Sequence, residues 1–410
     1  MFEEVILKER KGNNYLKRIN IIIFMVYLLE AWVSYAIFTV LSYYLGTVLL
    51  IHPITIGMIG SIGLVPLALK IIIAPFIDRY KLPLFLDKKW SWLFIGLVFN
   101  GVFLALFCID IKNFLSVFAV ILFFQSIGMV IMDATVDAIA VQSKERQTSA
   151  QASISMFSGV VFGGLLSFFF VGFFEASYPI GYFVMGIVVS CFIPILYKIK
   201  KGINLDHLAK TPEHVDWQVI KALFRDHKYL LVILISFLFN IDAGMLEFTF
   251  EPYLGLIFHV KLNDIAIIYL VTFLASIAVM ISFYKFQEQM TSRIVVGLVL
   301  ISMYSGMLSL LMSILILMQV LTFSHIVIIY VLWGAVSGAT IMLVYTLFVE
   351  HSSVKIPAFS IVFLISINNL GRLVGVFVGG FIHIGMIYLI SAILILGRIF
   401  PLFFLTRRKT

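Results

Sequence analysis

Apolar residues along this chain neither alternate as in a half-buried strand nor form a narrow helical stripe. They run on for about 20 residues at a time, the length a helix needs to cross a bilayer. By that ruler the sequence predicts twelve spans. Six are expected near 19–45, 54–76, 91–109, 114–141, 150–173 and 178–198, and six near 229–256, 263–284, 294–318, 322–348, 356–382 and 384–405. The alternation of a membrane barrel is absent, and a long helix is the other way to satisfy backbone groups in lipid. Composition agrees: 62% of residues are hydrophobic, 12% are charged and the mean hydropathy is +1.11. The expected class is an all-α, multi-pass membrane protein.

Charge placement adds orientation. The chain holds 29 Lys and Arg against 21 Asp and Glu, an excess that would elsewhere raise nucleic-acid binding. Here the basic residues sit in short flanks between apolar runs, where they set topology, so nucleic acid is not an expected partner. Of the 29, 24 fall in the segments on the N-terminal side and 2, Lys112 and Lys261, on the other, which predicts both termini in the cytoplasm. The stretch from Met1 to Asn20 carries five basic residues and no small-residue cleavage pattern follows it, so the first span is expected to be retained. Cys108 and Cys191 both lie inside apolar runs, and with no further cysteine there is no disulfide framework or thiolate metal site.

The sizeable segment 199–228 divides the chain into an N-terminal six-span half, 1–198, and a C-terminal one, 229–410. Within it Thr211-Pro212-Glu213 is a helix start signal, followed by Val215, Val219, Ala222 and Leu223 at helical spacing. A short amphipathic helix is expected there, on the membrane surface or in solvent. Gly159-Val160-Val161-Phe162-Gly163-Gly164 returns 216 positions later as Gly375-Val376-Phe377-Val378-Gly379-Gly380, so spans five and eleven should each present a tight packing seam. A shift of 217 likewise relates Glu30 to Glu247. Two pseudo-symmetric six-helix bundles related by an axis along the membrane normal are the arrangement of major-facilitator transporters.

Among the ionisable residues kept inside the apolar runs are Glu30, Lys70, Asp133, Asp137, Asp242, Glu247 and Arg372, and Arg398 lies within or at the edge of the last run. Each costs roughly 2.5–3.5 kcal/mol at a helix centre, so they are expected to pair and to face a polar interior. Asp133 and Asp137 are four apart and share one helix face, where two acids resist joint ionisation, making them a candidate proton site. Lys70 and Asp133 each lie about eight residues from the cytoplasmic ends of their spans, a depth of about 12 Å, and are expected to meet. Arg372 and Glu247 share a depth of about 26 Å and form a second expected pair. Glu30, near the midplane with no sequence-local cation, is the leading candidate to titrate or to bind substrate. Glu251-Pro252 is expected at the external end of span seven with a partly hydrated carboxylate. Tyr27, Tyr35, Trp333 and Tyr345 lie in expected cavity-lining spans, and Asn368 and Asn369 precede Arg372.

The stretch Lys70-Ile71-Ile72-Ile73-Ala74-Pro75-Phe76-Ile77-Asp78-Arg79-Tyr80, leading to Trp92, resembles the major-facilitator branch that includes anhydromuropeptide permeases and acetyl-coenzyme A transporters. Asp133-Ala134-Thr135-Val136-Asp137-Ala138, Glu145-Arg146 and Ile241-Asp242-Ala243 extend the resemblance, with Met132 where the branch has Gln and Phe239 where it has Lys. The resemblance implies a gating role for Asp78 and Arg79. It implies substrates among sugar-peptides, acyl-coenzyme A thioesters and pteridine-like compounds.

No phosphate-cradling G-x-x-x-x-G-K-[ST] is present, and His207 and His214 with their neighbouring acids lack metal-ligand spacing. Neither an enzyme nor a cofactor is expected. The expected function is secondary active transport of a small organic solute by alternating access, coupled to protons through Glu30, Asp133, Asp137, Asp242 or Glu247. The competing expectation is a non-transporting membrane assembly or chaperone factor on the same fold.

Overall fold

Eleven helices long and apolar enough to cross a bilayer are found among the described residues of the computed structural model. Those residues are 2–80, 82, 87–143, 155–156, 158–167, 170, 177–201, 203, 217–285, 294–351 and 357–406, with the side chains of Asp78, Arg79 and Tyr345 among those outside the description. Spans one to four are Tyr15–Val48, Pro53–Ile73, Lys88–Cys108 and Leu115–Ala140. A shorter apolar helix, Ser158–Ser167, stands where span five is expected, and span six is Tyr178–Lys200. Spans seven to twelve are His227–Phe258, Leu262–Val279, Ile294–Leu317, Phe323–Ile341, Phe359–Gly379 and Ile384–Leu405. The described elements are all helical, as the continuous apolar runs require.

Helix starts follow local chemistry. Asp87 accepts from Trp90 N ahead of span three, Asp226 accepts from Lys228 N ahead of span seven, and His383 accepts from Gly385 N ahead of span twelve. The linker helix is described over Trp217–Leu223, while its expected start at Thr211-Pro212-Glu213 lies outside the described residues. Leu223 and Phe224 anchor its end in an apolar cluster built on Tyr229, Val232, Ile235 and Phe348.

Backbone contacts group the chain into two compact units, Met1–Tyr35 with Leu69–Val215, and Ala36–Ala68 with Asp216–Thr410. Both crossings between units in the first two spans coincide with irregular helix. At Ala36 span one passes from α- to π-helix, over Ala36–Leu41 and again over Tyr44–Val48. Span two contains Pro66, which has no N–H to donate, and its helix stops at Ala68 before resuming at Lys70. Span seven is interrupted too. Its first helix ends at Leu246, Phe248 takes φ 62°, and a second helix runs Phe250–Phe258. A left-handed phenylalanine inside a membrane span costs about 1–3 kcal/mol, so its packing must hold it there.

The small-residue repeat does what its spacing predicts. In the first unit Gly159 and Gly163 lie against the backbone of span one at Phe24 and Leu28. In the second unit Gly371, Gly375 and Gly379 lie against the backbone of span seven at Phe237, Ile241 and Met245. Span five thus seats on span one as span eleven seats on span seven. A Cβ on any of these glycines would collide with backbone atoms of the facing helix.

Candidate functional site

In the first unit the break after Ala68 restarts the helix at Lys70, and this places a lysine at the head of a fresh helix facing span four. Its Nζ lies 2.7 Å from Asp133 Oδ2 and also bonds Asp137 Oδ2. The ammonium therefore bridges two carboxylates one helical turn apart, as their four-residue spacing allows. Tyr27 of span one donates to the other oxygen of Asp137. Glu30, one turn further along the same helix, brings its carboxyl beside Asp133, while its Oε2 is shielded from solvent with no hydrogen-bond partner among the described residues. Lys70 is 1% exposed and Asp133 and Asp137 are each 7% exposed. Three carboxyl groups thus gather near one ammonium, which bonds two of them, and one phenol bonds Asp137; the lysine and its two bonded acids are buried, while Glu30 and Tyr27 are partly exposed. The pair expected from depth has formed, and Glu30 and Tyr27 complete it.

The second unit holds its charges separately. Arg372 Nε lies 2.9 Å and 2.7 Å from the two oxygens of Glu247, and its terminal nitrogen lies 2.6 Å from Oε1. The guanidinium sits 4.0 Å over the Phe38 ring, and the two side chains of the pair remain 21% and 24% exposed. This is the second pair expected from depth, bidentate and open on one side. Glu247 occupies the C-cap of the first half of span seven, so the helix interruption frees it to reach span eleven.

Asp242 is paired with a residue that depth arithmetic left aside. Arg398 of span twelve approaches its Oδ2 to 3.1 Å, lies 4.3 Å over the Phe239 ring and is itself 4% exposed. Arg398 was legible as a lone cation within an apolar run, but nothing in the sequence named its partner. Polar links between helices account for the asparagines. Asn240 donates to Asn368, Asn368 donates to Ser236 O, and Asn369 donates to Leu67 O. Trp333 packs among Tyr330 and Tyr388 in an apolar cluster.

Glu251 requires a correction. Rather than a hydrated rim, it has a closed environment at 3% exposure, with the Tyr269 hydroxyl 2.6 Å from Oε1 and Ser42 Oγ 3.3 Å from Oε2. Proximity to a predicted helix end points to water, but in the fold the carboxyl is enclosed between Ser42 of span one and Tyr269 of span eight. The side chains of Asp78 and Arg79, and all of Glu145, Arg146, His207 and His214, lie outside the described residues. A hollow of about 680 Å³ lined by Gln218, Lys221, Ala222, Arg225 and Asp226 lies at the linker helix and contains none of the predicted site residues.

A family model described as Major Facilitator Superfamily matches residues 23–355. No curated protein matches the sequence. Among solved structures, the nucleoside transporter NupG is similar at 14% identity and a TM-score of 0.66, covering 97% of this chain and 100% of its own. A POT family transporter in complex with a thioalcohol-conjugated peptide is similar at 11% identity and a TM-score of 0.75, covering 95% and 96%. A bacterial homolog of the human lysosomal transporter Spinster is similar at 12% identity and a TM-score of 0.62, covering 97% and 99%. At these identities the likeness is one of fold, but the family match runs from the first span through the tenth, and the chain accordingly belongs to the Major Facilitator Superfamily, a membrane transporter and not an enzyme.

Proposed function

We propose that this chain is a proton-coupled secondary transporter of a small organic solute, working by alternating access with both termini in the cytoplasm. The observation that carries the reading is the ratio of charges around Lys70. Were Glu30, Asp133 and Asp137 all ionised, one ammonium would leave two uncompensated negative charges in a buried site. Burying an uncompensated charge is costly, so the site favours taking up a proton. Glu30 beside Asp133 offers a place for it, because neighbouring carboxyl groups resist joint ionisation. Release of that proton strengthens the hold on Lys70, which heads the restarted segment of span two. A proton bound here and a conformational preference of span two are thereby linked.

Arg372 supports a solute carrying a carboxylate. Its fork is bidentate, stacked on Phe38 and open on one side, so an incoming carboxylate can replace Glu247 with matched geometry. Of the classes implied by resemblance, sugar-peptides fit that chemistry better than the polyanionic acyl-coenzyme A thioesters, for which one half-open guanidinium is too little charge. Pteridine-like compounds bearing a carboxylate remain within the same chemistry. Membership of the anhydromuropeptide permease and acetyl-coenzyme A branch is part of this proposal.

The test is uptake by reconstituted liposomes, with labelled sugar-peptides, peptides, nucleosides and pteridines, under an imposed pH gradient. The expected result is gradient-dependent accumulation of a carboxylate-bearing solute, uncoupled from the gradient in Glu30→Gln and Asp133→Asn. Accumulation that ignores the gradient in the parent, or that keeps its response in both variants, overturns proton coupling through this cluster.

A further inference from the structure

Two irregular stretches of helix meet at Glu251. The π-helical segment of span one carries Ser42 between its two wide turns, and the interrupted segment of span seven carries Phe248 in its left-handed conformation and Glu251 in the first turn of the helix that follows. They are fitted together closely. The Phe38 and Phe248 rings stack edge to face at 5.6 Å, Gly60 leaves room for the Phe248 ring, and Gly46 leaves room for Pro252. All of these residues belong to the second unit.

The hydrogens around Ser42 can be counted. Its Oγ lies 2.8 Å from Phe38 O, 2.9 Å from Thr39 O and 3.3 Å from Glu251 Oε2. A hydroxyl owns one hydrogen, and the two carbonyls have none to give. With Ser42 donating to the nearer carbonyls, the contact with Glu251 is a hydrogen bond only if the acid is the donor. The opposite oxygen is already served, since Tyr269 donates to Oε1 at 2.6 Å. No Lys, Arg or His forms an ion pair with Glu251 among the described residues. The groups that face it are the phenols of Tyr269, Tyr330 and Tyr388 from spans eight, ten and twelve, and Glu247 from its own span, itself held by Arg372 of span eleven. Span one presents Ser42, with Tyr43 committed to Val260 O.

We propose that Glu251 is a second proton-binding site, distinct from the Lys70 cluster, whose proton is reported through Ser42 to the π-helical segment of span one. When Glu251 holds the proton, its Oε2–H donates to Ser42 Oγ and Ser42 donates to Phe38 O or Thr39 O, an unbroken chain. When the proton leaves to bulk water, the carboxylate needs a donor and draws the Ser42 hydrogen to itself, and the carbonyl loses its partner. The wide turns of span one are then held by one bond fewer.

Hydrogen exchange of the segment 36–48, in protein reconstituted in nanodiscs and corrected for the intrinsic pH dependence of exchange, is expected to lose about fivefold in protection from acid to alkaline pH, the scale set by one hydrogen bond. Glu251→Gln supplies an amide that accepts from Tyr269 and donates to Ser42, and is expected to keep the protected level at every pH. Ser42→Ala is expected to abolish the pH response while leaving the acid intact. Infrared difference spectra between acid and alkaline pH report that acid directly. The protonated carboxyl band of Glu251, isolated as parent minus Glu251→Gln, is expected to survive in Ser42→Ala. No such band, or an exchange response unchanged in Glu251→Gln, overturns the second proton site. A response unchanged in Ser42→Ala overturns the route through Ser42.

Discussion

The two units differ in how they hold the charge within their spans, although the first also has a one-to-one pair, Lys200 with Asp87, at its helix ends. In the first, Lys70 is shared among Asp133 and Asp137, with Glu30 alongside and Tyr27 completing the hydrogen bonds. In the second, each guanidinium has its own acid, Arg372 with Glu247 and Arg398 with Asp242, and Glu251 stands with hydroxyls alone. A one-to-one pair has no electrostatic reason to change its proton count. A three-to-one cluster does, which separates groups suited to carry protons from groups suited to hold helices or to meet a solute. Pairing ratio is thus more informative than the presence of an acid in a membrane span.

Breaking the cluster should have the largest effect. Lys70→Met leaves its acids buried without a cation and is expected to cost about 3–5 kcal/mol in thermal unfolding, with much of the loss recovered when Asp133→Asn and Asp137→Asn are added. If Lys70→Met is tolerated as well as a change at Glu247, the contrast between the units is wrong. Arg398→Met should come next, at about 3 kcal/mol, because the Asp242 pair is buried. Replacing both partners by Arg398→Met with Asp242→Leu should restore near-parental stability, since a one-to-one pair is exchangeable for apolar packing.

The packing seams sharpen the comparison at an intermediate scale. Gly375→Val forces a side chain into the backbone of span seven and is expected to cost about 1–3 kcal/mol, as is Gly163→Val against span one. Unequal losses, measured as shifts in unfolding temperature, would show that the repeat is preserved in sequence but not in packing. The smallest effect is expected at the half-open pair. Glu247→Gln should change stability by no more than about 1 kcal/mol while altering solute affinity. A loss as large as that of Arg398→Met would make Arg372–Glu247 a structural clamp.

Particular residues show where sequence reading succeeded. Lys70 with Asp133 and Arg372 with Glu247 were legible because a helix advances by a fixed rise, so equal depth in two spans is an arithmetic property of the chain. Asp133 and Asp137 share a face for the same reason, and the glycine repeat marks seams because no side chain intervenes. Arg398 has no partner in the sequence reading, because depth alone does not tell which helices are neighbours. Glu251 is buried although it lies near a span end, because distance from a span end is not distance from water. Ser42 gave no signal, being one polar residue in an apolar run until the π-helical turns bring it against span seven.

Continuous apolar runs settled the helical membrane class, and the basic flanks with the 216-residue repeat set out its expected topology, because both follow from the bilayer as solvent and from one-dimensional spacing. Which helix faces which acid was decided in three dimensions. The interruptions at Ala36, Leu69 and Phe248 decide which side chains meet, and the contacts they permit join segments far apart in the chain.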